Sequence, residues 1–139
     1  DTDPGGTNGT NSGQMYGNQS PGFPADFLGD LHIAWKADGS YNRQMIFSAP
    51  WADVAPGYEV FRNADFIKFR IPLADIGNPA KVGVVAFMMN ETAGFEWTYA
   101  GLYSGSFADG THALVPITKY LLADFALAHD PNAAENQKP

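Results

Sequence analysis

The chain has 139 residues, 45% hydrophobic and 14% aromatic, with 15 Gly and 10 Pro, which is enough for one core and too rich in turn formers for long helices. Fifteen acidic residues against eight basic ones give a formal charge of -7, a balance that repels phosphate backbones and anionic lipid and so argues against a nucleic-acid partner. There is no cysteine, hence no disulfide framework, thiolate metal site or cysteine nucleophile, and no apolar run approaches the roughly 20 residues of a membrane-spanning helix.

Residues 1–24 are Gly, Asn, Thr, Ser and Pro with only Met15, Tyr16 and Phe23 as large apolar groups, and they read as one long Gly/Asn-rich loop belonging to the domain. A loop of that length in a compact domain is expected to bind something, to be tied by a metal, or to be partly disordered. Strand signals follow over residues 25–129. Leu31, Ile33 and Trp35 alternate with smaller or polar residues, Asp38-Gly39 supplies a hairpin turn, and residues 41–47 supply the returning strand. Trp51 falls between Pro50 and Asp53 in a stretch that reads as loop. Residues 58–62 and 66–71 form a second expected pair across Asn63-Ala64-Asp65, stopped by Pro72. Residues 73–77 read as a short helical turn closed by Gly77. Residues 81–90 are apolar on both alternating faces, which predicts one interior strand at the centre of the fold. Residues 95–103 and 120–127 are the last expected strands, and 130–139 a polar tail expected to fray. Short strands at short spacing predict an all-β protein, an antiparallel two-sheet β-sandwich of jelly-roll or immunoglobulin-like type.

Two sets of residues are candidates for chemistry. In the strand at 95–103, Phe95, Trp97, Tyr99 and Tyr103 share one face, a row that can stack on the apolar faces of sugar rings or equally form the sandwich core. Trp35 reads as core, whereas Trp51 reads as exposed, so Trp51, Trp97 and Tyr103 are the expected ligand-binding set. Asp1 and Asp3 project to one side of an extended chain, and with Asn8, Asn11 and loop carbonyls they offer an oxygen cage for calcium, which accepts about six to eight such ligands. A plain solvated turn is the competing assignment; Asp26, Asp30 and Asp38 could also contribute oxygens, and nothing in the sequence selects among them. No motif fixes two carboxylates at a glycosidase separation, and no nucleophile elbow or phosphate loop occurs, so no enzyme is expected.

Asp1-Thr2-Asp3-Pro4-Gly5-Gly6 with Asn8-Gly9-Thr10-Asn11-Ser12-Gly13-Gln14, Ala25-Asp26-Phe27, Phe69-Arg70-Ile71-Pro72-Leu73-Ala74-Asp75-Ile76-Gly77, Trp97 and Thr118-Lys119-Tyr120 together resemble the family 9 carbohydrate-binding modules and the wider DOMON-like sandwiches of secreted proteins. The resemblance implies a non-catalytic module, secreted or at the cell surface, that binds a polysaccharide or oligosaccharide. In such proteins the Asp-Thr-Asp stretch follows several earlier strands, whereas this sequence starts there. The expectation is that the opening strands lie upstream in a longer precursor or come from a neighbouring copy by strand addition, which makes a structural or adhesive subunit of an extracellular assembly the alternative function. Some relatives bind haem through Met and His or Lys, but Met88 and Met89, adjacent in an apolar strand, read as packing, and His32 as an ordinary strand position.

Overall fold

The computed structural model describes residues 1–13, 20–92, 95–100, 115–127 and 137–138. Among these, regular structure is almost entirely strand: β1 (Pro21–Gly22), β2 (Leu31–Trp35), β3 (Asn42–Phe47), β4 (Trp51–Val54), β5 (Glu59–Arg62), β6 (Ile67–Arg70), β7 (Lys81–Val84), β8 (Phe87–Thr92), β9 (Phe95–Ala100), β10 (Val115–Pro116), β11 (Tyr120–Asp124) and β12 (Gln137–Lys138), with a 3-10 turn at Leu73–Ile76. The all-β class expected from the sequence is therefore observed. The strands form small sheets: β2-β3-β4 and β12-β11-β7, each antiparallel, the ribbons β5-β6 and β8-β9, and a short parallel pair β1-β10. Among the described residues no helix is long and apolar enough to cross a membrane.

The β2-β3 hairpin forms as its alternation dictates, with His32 opposite Met45 and Trp35 opposite Asn42. Its turn is closed by Gly39 N donating to Lys36 O (2.9 Å), with Gly39 alone at positive φ (74°) and the Asp38 carboxylate accepting from Ser40 N at 2.9 Å. Of the two faces of β2, the better covered one carries His32, because its cross-strand neighbour Met45 is only 2% exposed while Leu31, Ile33 and Trp35 are half-buried. The β5-β6 ribbon turns at Asn63, whose side-chain oxygen accepts from Asp65 N and Phe66 N. The helical turn expected at 73–77 is present, and Gly77 at φ 82° ends it in the left-handed region that favours glycine.

Three expectations are corrected. Trp51 is not in a loop: a three-residue return, with Ser48 N donating to Pro50 O (3.0 Å), places it opposite Phe47 as the first residue of β4. The apolar run at 81–90 is not one strand; it divides at Val85-Ala86, and β7 joins β11 while β8 joins β9. Each half meets a different partner, which is why the whole run is apolar. The C-terminal tail is not wholly frayed, since Gln137–Lys138 pairs with Tyr120 and Leu121; the rest of residues 130–139 lies outside the described residues.

The N-terminal segment carries almost no regular structure, yet its backbone is tied down. Asp1 N donates to Gly83 O (3.1 Å) and Gly83 N to Asp1 O (2.8 Å), so residue 1 borders β7. Thr10 and Gly29 exchange N–H···O bonds at 3.0 and 2.7 Å, Gly13 N donates to Pro21 O, and Phe23 N donates to Asn11 O. These bonds replace a sheet ladder for a stretch with few side chains to pack. Beneath them lie Phe27 (3% exposed), Pro21, Ile117 and Tyr120. Phe27 stands edge-on to Phe23 and to Tyr120, each at 5.0 Å between ring centroids, contacts worth about 0.5–1.5 kcal/mol apiece beyond the area they bury. The Tyr120 hydroxyl donates to Asp26 Oδ2 at 3.0 Å, and burial first, then this carboxylate, pushes the phenol up to about 12.

Gly83 is where the segment and the ring cluster meet. A Cβ there would lie 3.0 Å from Phe27 Cε2 and 3.2 Å from Asp1 Cβ, both fixed by packing. Gly83→Ala is expected to destabilise the protein by about 1–3 kcal/mol through overpacking. Urea denaturation of the two proteins measures it, and an unchanged midpoint would remove this junction from the core.

Candidate functional site

Two buried polar side chains, Asp30 (5% exposed) and Gln44 (6% exposed), border the same cleft. Asp30 directly precedes β2, and its backbone oxygen accepts from Phe47 N (2.9 Å), extending the β2-β3 ladder by one rung. Its Oδ1 accepts from Thr2 N at 2.9 Å and its Oδ2 from the Thr2 hydroxyl at 2.5 Å, while Asp1 N stands 3.7 Å from Oδ1. The buried carboxylate is thus satisfied by the N-terminal segment that crosses it. Gln44 sits in the middle of β3, where a buried amide is costly unless bonded. Its Oε1 accepts from Gly57 N at 2.8 Å, which fixes the amide orientation; its Nε2 has no protein acceptor among the described residues.

The cleft, of about 240 Å³, is lined by the apolar residues Leu31, Ile46, Phe47 and Ile76 and the polar residues Thr2, Asn8, Asp30, Gln44 and Asp75. No cation lines it. Asp75 reaches it from the 3-10 turn, where Asp75 N donates to Pro72 O (3.0 Å). The site is therefore assembled from three places: the N-terminal segment, the β2-β3 hairpin and the turn after β6. It brings amides, a hydroxyl and carboxylates together with apolar side chains.

The expected ligand-binding residues are not those of this cleft. Trp51 is half-buried, its ring edge-on to His32 (5.9 Å) and Phe47 (5.4 Å), on the face of the β2-β3-β4 sheet opposite Gln44. The backbone of Trp97 lies in β9 opposite Asn90, and Tyr103 lies outside the described residues. Of the expected calcium ligands, Asp1 turns inward, its Oδ1 accepting from Asp3 N (3.1 Å) and its Oδ2 from Leu28 N (3.2 Å). Asp3, Asn8 and Asn11 are exposed, and among the described residues no three His, Cys, Asp or Glu side chains form a group able to hold a metal. Gln44, Phe47 and Asp75 were not among the site residues expected from the sequence. Nothing in the sequence singles out Gln44, which is the last of three consecutive polar residues, Asn42-Arg43-Gln44.

His32 is 8% exposed beside Trp51 and Phe87, whose ring centroid is 6.2 Å away. Burial, reinforced by the positive charge of Arg43, lowers its pKa from 6.5 to about 4. Arg43 is itself held by Asp53 through a forked pair, Nη2 to Oδ2 at 2.8 Å and Nε to Oδ1. Because the folded value is depressed, the unfolded chain binds the His32 proton first as pH falls. Stability is thus lost as pH drops from 6.5 toward 4, by about 2 kcal/mol between pH 7 and pH 5. Urea midpoints at the two pH values, for the native chain and His32→Gln, measure this: the substitution should reduce the pH dependence by that amount, and equal slopes would mean His32 is protonated in the fold.

No protein-family model matches the chain, and neither a curated protein nor a solved structure does.

Proposed function

We propose that this chain is a non-catalytic, extracellular carbohydrate-binding module, an antiparallel two-sheet β-sandwich with a long N-terminal segment, that holds a neutral glycan in the cleft between that segment and the β2-β3 hairpin. The observation that carries the reading is the Gln44 side chain: a buried amide lining the cleft, with its oxygen bonded to Gly57 N and its Nε2 left to donate. A sugar hydroxyl is a fitting acceptor, and Leu31 with Ile46 and Ile76 supplies the apolar surface that C–H faces require. Asp75 accepts hydroxyl protons at the rim. Asp30 is bonded through both oxygens to Thr2, an arrangement that holds the backbone in place and suits binding better than proton transfer. The formal charge of -7 and a cleft without a cation favour neutral over acidic glycans. The resemblance to family 9 modules and DOMON-like sandwiches agrees with this reading and with a secreted or cell-surface location.

Affinity gel electrophoresis and calorimetry with neutral and uronic-acid glycans test it. A neutral glycan should bind, an acidic one should not, and Gln44→Ala and Asp75→Asn should each weaken binding by about tenfold, the effect of losing one hydrogen bond to a buried partner. Retained affinity in both variants would move the site elsewhere.

A calcium brace on the N-terminal segment belongs to the same proposal, with Asp3, Asn8 and Asn11 as its exposed oxygen donors. A rise in melting temperature with calcium supports it, and indifference to calcium and to chelator removes it.

One observation favours a second reading, a structural or adhesive subunit of an extracellular assembly completed by strands of a neighbouring copy or of the same precursor. The β5-β6 ribbon has no third strand among the described residues, and Phe61, Phe66, Ile67 and Phe69 are 42–53% exposed on it and its turn. Sedimentation velocity separates the readings, since a concentration-independent monomer excludes self-assembly.

A further inference from the structure

A second cleft, of about 320 Å³, lies on the other side of Gly57, lined by Pro56, Gly57, Tyr58, Glu59, Arg70 and Pro72. The two clefts share their walls. Gly57 belongs to the second and donates its N–H to Gln44 of the first; Pro72 belongs to the second and accepts at 3.0 Å from the backbone N of Asp75, which lines the first. The Gly57 backbone and the Asp75 side chain meet at their junction. A Cβ on Gly57 would come within 3.3 Å of Asp75 Oδ2, so the absence of a side chain keeps this ridge low.

The second cleft also offers a ring, donors and an acceptor, and differs from the first in carrying an ion pair. Tyr58 supplies a half-exposed ring, steadied by its hydroxyl donating to the Asn42 side-chain oxygen and by Phe69 at 5.9 Å. Arg70 and Glu59, paired across β5-β6 at 3.3 Å, supply a donor fork and an acceptor, both largely exposed. Pro56 and Pro72 add rigid apolar faces.

We infer that the two clefts are adjacent subsites of one groove, and that the ligand is a linear oligosaccharide of at least two rings whose linkage crosses the ridge at Gly57, with one ring against Ile46 and Gln44 and the next against Tyr58 and Arg70. This rests on the carbohydrate reading above. It adds a chain-length requirement and a second set of binding residues on the β5-β6 side of the groove.

Calorimetry with cello-, xylo- and malto-oligosaccharides of one to four units tests it on the whole chain. In the ladder that binds, affinity should rise about tenfold from one ring to two, the gain of an added aromatic and polar subsite. Tyr58→Ala and Arg70→Ala should each reduce that gain at least threefold, Tyr58→Phe should restore it by keeping the ring, and circular dichroism melts confirm that each variant is folded. Gly57→Val should reduce two-ring affinity by raising the ridge. Affinity that is flat from one to four rings, or a gain that survives both alanine substitutions, overturns the groove while leaving single-ring binding intact. Failure of all three ladders to bind overturns the groove and the carbohydrate reading together.

Discussion

The structure depends on how the N-terminal segment satisfies its backbone. Gly-, Asn- and Ser-rich chain has little side-chain area to bury, so it must be held by hydrogen bonds or not at all. Two residues anchor its start: Asp1 exchanges backbone bonds with Gly83 of β7, and Thr2 gives both its N–H and its hydroxyl to the Asp30 carboxylate ahead of β2. One anchor lies on the β7-β11 sheet and the other on the β2-β3-β4 sheet. The segment therefore links two sheets that have no strand in common. The charge on Asp30, which would be costly where it is buried, is offset by these donors. The same arrangement leaves Asn8 and Thr2 on the wall of the cleft, so the bonds that secure the chain also build the site.

The core has the same uneven character. Packing is tight where the segment covers Phe27 and Tyr120, and open along β5-β6, where every residue from 61 to 70 is exposed. The inner side of that ribbon is covered by few contacts: Trp35 meets Phe69 edge-on at 6.1 Å and carries the Arg62 guanidinium over its ring at 5.8 Å. A ribbon of two strands is marginal by itself. Its hold on the rest of the protein comes from the aromatic contacts of Phe69 and from the Tyr58–Asn42 hydrogen bond to β3.

Much of the strand pattern was legible in the sequence. Alternation located β2, β3, β5 and β6 to within a residue or two, and the glycine after Ile76 marked the end of the 3-10 turn, because these signals are local. β4 was not legible, since Ser48-Ala49-Pro50 carries none of the Asn-Gly or Asp-Gly signals of a hairpin, and only the pairing of Phe47 with Trp51 reveals it. The division of residues 81–90 was hidden for a different reason. A run that is apolar throughout looks the same whether it is one strand covered on both faces or two strands in different sheets. Only the partners, β11 and β9, decide between these.

The site was harder to read because its residues are far apart in the chain: Thr2, Gln44 and Asp75 become neighbours only through the ties just described. The sequence directs attention to tryptophan as the stacking residue, yet Trp51 is spent on supporting Phe47 and His32 from behind. From the hairpin it is Leu31 and Ile46 that share the Gln44 face of the sheet, while the Phe47 ring packs with Trp51 on the other. Gln44 follows the same logic in reverse. The last of three consecutive polar residues is not singled out by the sequence, but with its oxygen fixed by Gly57 N the amide becomes a directed donor. Such a group costs stability when nothing accepts from it, and it recovers that cost when a ligand oxygen does. A binding residue of this kind is marked by its burial and its missing partner, neither of which a sequence displays.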